Sequence, residues 1–63
     1  MKIKVSLFSG RVGYVKDVWF ADDEIVGDVH TTDDLELALD VSDREFKYIK
    51  EFYDHYNATI EVI

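Results

Sequence analysis

Sixty-three residues with no cysteine and a net charge of −7 leave room for one small domain, with no disulfide to staple it. The carboxylate excess argues against a nucleic-acid backbone as the main partner. No apolar run approaches the roughly 18 residues of a membrane span, and the alternating start MKIKVSLF is neither a span nor a signal peptide, so a reducing cytoplasm is the expected compartment.

Ile3, Val5 and Leu7 alternate with Lys2, Lys4 and Ser6, the pattern of a half-buried strand. Ser9-Gly10 breaks it, and because Gly10 can take a positive φ, a tight hairpin turn is expected there. Residues 12–20 are rich in β formers and read as a second strand whose alternation is broken. Val12, Tyr14, Val18 and Phe20 share one parity, and Val15 and Trp19 the other. A bulge, or a strand covered on both faces, explains this. Trp19 is placed in the monomer core or flat on the sheet, the alternative being burial of Val15 and Trp19 against a second copy.

Residues 21–24 form an acidic connection, and residues 25–30 read as a short third strand with Gly27 marking a bulge or close backbone contact. Residues 31–34 are turn-like. Leu35, Leu37, Leu39 and Val41 then alternate with Glu36, Ala38 and Asp40, a period of two that favours a fourth strand over a short helix capped by Thr32. Ser42 and Glu45 form a capping box that opens a helix. On that helix Phe46, Ile49, Tyr53 and Tyr56 fall on one stripe with Phe52 at its margin, while Arg44, Tyr48, Glu51 and His55 fall opposite, toward solvent. Asn57 suits a left-handed closing residue, and Ile60 and Val62 share a face of a last strand. The expected fold is therefore α+β: a small antiparallel sheet of four to five strands with one α-helix, about residues 43–56, packed on one face. Four strands precede the helix and one follows it, returning antiparallel beside the first in preference to a right-handed crossover that would lay it parallel to the fourth.

The charge is unevenly spread. Residues 1–20 sum to +3, residues 21–43 to −9 with no basic residue, and residues 44–63 to −1. Asp22, Asp23, Glu24, Asp28, Asp33, Asp34 and Glu36, with the aromatic Trp19 and Tyr48, make the candidate protein-binding surface, suited to a basic face of a larger protein such as a nucleic-acid-binding complex.

Catalytic chemistry finds little footing. There is no cysteine, the two histidines are His30 and His55, and Ser6, Ser9 and Ser42 are explained by strand surface, turn and helix cap. Gly10, Gly13 and Gly27 are too scattered to cradle a phosphate. Asp28, His30, Asp33 and Asp34 gather oxygen and imidazole donors around one turn, but their spacing matches no calcium loop. The pairs Asp22/Asp23 and Asp33/Asp34 are adjacent residues on loops expected to be exposed and are set aside as acid–base candidates. Tyr14, Lys16 and Trp19 could stack on single-stranded nucleic acid, with the acidic middle opposing them. No enzyme, cofactor or metal is expected.

A small acidic binding protein is the reading this supports, docking residues 22–43 on a basic groove. In size, acidity and lack of catalytic motifs the chain resembles the small inhibitors that phages encode against host enzymes or immune systems, anti-CRISPR proteins among them. The resemblance is one of overall character and carries over no residues; it implies an inhibitor working in the host cytoplasm. A dimeric nucleotide binder is the first alternative, with Tyr48, His55, Tyr14 or Trp19 stacking and Arg44 or Arg11 holding phosphate. The second is an assembly subunit that adds a strand at an exposed sheet edge. With 48% hydrophobic residues and no staple, a homodimer is the favoured assembly.

Overall fold

The alternating start becomes strand β1 (Ile3–Leu7), and Gly10, at φ 91°, turns the chain into β2 (Val12–Asp17). A computed structural model describes residues 1–22 and 24–63. After β2 come the two-residue strands β3 (Phe20–Ala21) and β4 (Glu24–Ile25), then β5 (His30–Thr32), a 3-10 turn (Leu35–Leu37), helix α1 (Asp43–Tyr53) and β6 (Ala58–Val62). The main sheet is antiparallel with strand order β5-β2-β1-β6, and β3 and β4 form a separate hairpin. Thus β6 does return beside β1, with Val5 opposite Ile60.

Ser42 and Glu45 open α1 as expected. The Ser42 hydroxyl accepts from the Glu45 N–H at 3.2 Å, and the Glu45 carboxylate accepts from the Ser42 N–H at 2.9 Å. Ile49 and Tyr53 carry the buried face onto Ile3, Val5, Val15 and Val41, with Phe46 and Phe52 partly covered beside them. Ile3, Val15 and Ile49 are fully buried, and burying each such aliphatic side chain stabilises by about 2 kcal/mol. None of the helices among the described residues is long and apolar enough to cross a membrane.

Several expectations are corrected. The helix ends at Tyr53 rather than residue 56, so Tyr56 falls off the buried stripe and is 54% exposed. Asn57 is not left-handed; among the described non-glycine residues that conformation belongs to Asp22, at φ 52°. The second strand stops at Asp17, and Trp19 beyond it is 71% exposed rather than in the core or flat on the sheet. Val15, by contrast, is buried in the monomer, which removes it from any interface. Its partners explain both. Val15 pairs with Thr31 and Asp17 with His30, so Lys16 is the extra residue of a bulge, the break that the parity of residues 12–20 implied.

The expected third strand is divided: residues 24 and 25 pair with β3, Gly27 at φ 77° turns the chain, and His30 begins β5. Thr31 and Thr32 are strand, not turn. Residues 35–41 are not a strand. The Asp34 carboxylate accepts from the Glu36 N–H at 3.0 Å and caps the 3-10 turn, the role expected of Thr32 in the alternative. Thr32 instead accepts from the Asp34 N–H at 3.1 Å. Beyond the turn the Leu39 N–H donates to the Val15 carbonyl, and Val41 and Met1 exchange two bonds, the Val41 N–H donating to the Met1 carbonyl at 2.7 Å and the Met1 ammonium to the Val41 carbonyl at 2.8 Å. Leu35 and Leu37 are exposed while Val41 is buried, so the alternation does not mark one face. The Met1 ammonium donates to the Asp40 carboxylate, and first that hydrogen bond, then the charge, holds Asp40 below the usual carboxylate range.

Candidate docking surface

The hairpin β3–β4 lies against α1 because Phe20 and Tyr48 meet with ring centroids 6.1 Å apart. Tyr48 is therefore half-buried rather than on a solvent face. Its hydroxyl accepts from Arg44 Nε at 3.4 Å, and the guanidinium lies 6.0 Å from its ring centroid, in cation–π range. Tyr48 is shared by two shallow grooves. One, about 300 Å³, is lined by Phe20, Ala21, Asp22, Arg44, Glu45 and Tyr48. The other, about 170 Å³, is lined by Glu24, Ile25, Tyr48, Glu51, Phe52 and His55. Carboxylates line both grooves, an environment that disfavours a phosphate beside Arg44.

Trp19 sits on the short connection between β2 and β3, next to Val26, whose N–H donates to the Trp19 carbonyl at 2.8 Å. Val26 is 53% exposed. The hairpin thus presents an apolar pair, Trp19 and Val26, with Asp17 and Asp28 two residues away along the chain and Asp22 at the turn. Of the expected surface, Trp19, Asp22, Glu24 and Tyr48 belong to this hairpin side, and Asp28 follows it. Asp23 lies outside the described residues.

The remaining acids stand apart. Asp33 shares a cleft of about 530 Å³ with Arg11 and Lys16, so its field is partly offset by basic neighbours that β2 brings to it. Asp34 is committed to capping, and Glu36 lies on the same 3-10 turn, where Lys2 Nζ donates to the Leu35 carbonyl at 3.1 Å. The acidic segment thus forms two groups rather than one stripe. Asp22, Glu24, Asp28, Asp33, Asp34 and Glu36 are all exposed. Ion pairs among the described residues are Met1 with Asp40 and Lys4 with Glu61, and none of these six acids takes part in one.

No three acidic, histidine or cysteine side chains of the described residues converge as metal ligands. His30 and His55 are exposed, and the Ser42 hydroxyl is committed to the helix cap. Val26 was not foreseen as part of this surface, although an apolar residue directly before Gly27 was a usable signal. A second apolar area also escaped the sequence reading: Phe8, 88% exposed at the first turn, lines a groove with Tyr56 and Leu7 at the end of the sheet away from the start of α1. Compared with known proteins, the chain matches no family model, no curated protein and no solved structure.

Proposed function

We propose that this is a small acidic, non-enzymatic binding protein that seats the hairpin side, with Trp19 at its centre, in a basic groove of a larger protein, as an inhibitor of the phage-encoded kind would. The observation that carries this reading is the exposure of Trp19, 71%, in a stretch where the described carboxylates Asp22, Glu24 and Asp28 are exposed and in no ion pair with another described residue. Tryptophan is the side chain most enriched among residues that dominate binding energy. Leaving it in water forgoes a burial gain that a 63-residue domain with a thin core could use, which makes sense if a partner covers it. The exposed carboxylates of Asp22, Glu24 and Asp28 would steer a basic partner and raise the association rate.

Capture from the source cell tests this, using the wild type, Trp19→Ala, and a triple variant Asp22→Asn, Glu24→Gln and Asp28→Asn. Truncating a central tryptophan is expected to weaken binding by about 30-fold, equivalent to roughly 2 kcal/mol. Raising salt from about 0.1 to about 1 M, which shortens the Debye length from about 10 to about 3 Å, is expected to release the partner. A partner held equally by all three proteins, and equally at both salt concentrations, would overturn the reading.

A further inference from the structure

The two edges of the main sheet differ. β5 has three residues and leads into the acidic turn, whereas β6 has five and carries one carboxylate, Glu61, already paired with Lys4 at 3.5 Å. The ladder tells which way the β6 backbone groups point. The Ile63 N–H donates to the Lys2 carbonyl at 3.0 Å, and the Asn57 carbonyl accepts from the Phe8 N–H at 2.9 Å. Antiparallel residues alternate between bonded and non-bonded positions. Thr59 and Glu61 therefore face β1, and the N–H and C=O groups of Ile60 and Val62 point away from the sheet, where no described backbone group meets them. The Ala58 N–H is used by the Tyr56 carbonyl at 2.8 Å, which leaves the Ala58 carbonyl open.

We propose that β6 pairs antiparallel with β6 of a second copy, about a two-fold axis through Ile60, fusing two four-stranded sheets into one. In that register Ile60 lies opposite its own mate and exchanges both bonds with it, and the Val62 N–H reaches the open Ala58 carbonyl. The side chains match as well. Ala58, Ile60 and Val62 form one row, the first two packed against the core and Val62 50% exposed, so the row meets its own reverse. On the other face Glu61 falls opposite Thr59 of the copy, so the two carboxylates do not stand directly opposed. The usual guards of an edge are missing: the chain has no proline, the β1–β6 register is unbroken, and no charge points inward from β6. The carboxylates that follow β5 lie at the far edge, three strand spacings or about 14 Å away, so they oppose the approach weakly. This pairing is independent of the Trp19 surface.

A five-residue strand buries less than the roughly 800 Å² per partner of a stable interface, so the dimer is concentration-dependent. Sedimentation equilibrium and amide hydrogen exchange on the full chain at rising concentration test it. Mass should rise toward two copies while exchange slows at Ile60 and Val62 and stays unchanged at Ile63, which is already bonded within the monomer. Val62→Pro removes a donor that faces away from β1, so the variant should keep its circular-dichroism spectrum and weaken dimerisation by roughly tenfold or more. A wild type that stays monomeric to about 1 mM would overturn the proposal and leave the edge to a strand from another protein. A dimer that leaves Ile60 and Val62 exchange unchanged, or that survives Val62→Pro at full strength, would also overturn it.

Discussion

Phe20 and Tyr48 are 28 positions apart in the chain, yet their rings lie 6.1 Å apart at a tilt of 54°, pinning the hairpin β3–β4 to the outer flank of α1. Neither ring is fully buried. Phe20→Ala should cost about 2 kcal/mol, less than the 3–5 of a fully buried phenylalanine, because part of that ring already faces water. Urea unfolding measures the loss. Amide exchange should show it concentrated in residues 19–25, with α1 still protected.

The capping box gives a second expectation. Ser42→Ala removes the acceptor for the Glu45 N–H and leaves that donor to solvent, at a cost of about 1 kcal/mol. Ser42→Asp restores an acceptor and places a negative charge at the positive end of the helix, so it should recover most of the loss. Thermal unfolding of the three proteins at neutral pH checks the order.

Tyr53 sets the alkaline limit. Burial, and secondarily the neighbouring Tyr56, raises its phenol above the ordinary value of 10.0. In the unfolded chain the same group ionises first, so its contribution to stability is complete below about pH 10 and disappears as pH climbs through the raised folded value. Tyr53→Phe should leave stability at pH 7 nearly unchanged and flatten the alkaline fall. Tyrosinate absorbance, followed together with circular dichroism, will show whether one late-ionising tyrosine titrates with unfolding.

What could be read from residue order was mostly what neighbours in sequence determine. The helix start needed only Ser42 and Glu45, three residues apart, and the face of β1 needed only its alternation. Residues 35–41 misled because alternation alone does not distinguish a strand from a capped turn followed by extended chain. The Asp34 cap and the good helix formers Leu and Ala prevailed over the period. Tyr48 was placed in solvent because its cover, Phe20, comes from a hairpin whose docking no local pattern records. The division of the acidic surface was equally hidden, since Arg11 and Lys16 reach the neighbourhood of Asp33 only once β2 and β5 have paired.

The bulge at Lys16 works as a phase shifter. Before it, odd-numbered Val15 points inward; after it, even-numbered Val18 and Phe20 do, which leaves Trp19 outside. A strand that ran on regularly through Lys16 would put Trp19 on the face of Val15 and turn Phe20 out, sealing away the proposed contact and exposing the ring that grips Tyr48. The chain's recognition chemistry thus hangs on one residue being looped out of the ladder as much as on the kinds of residue that follow it.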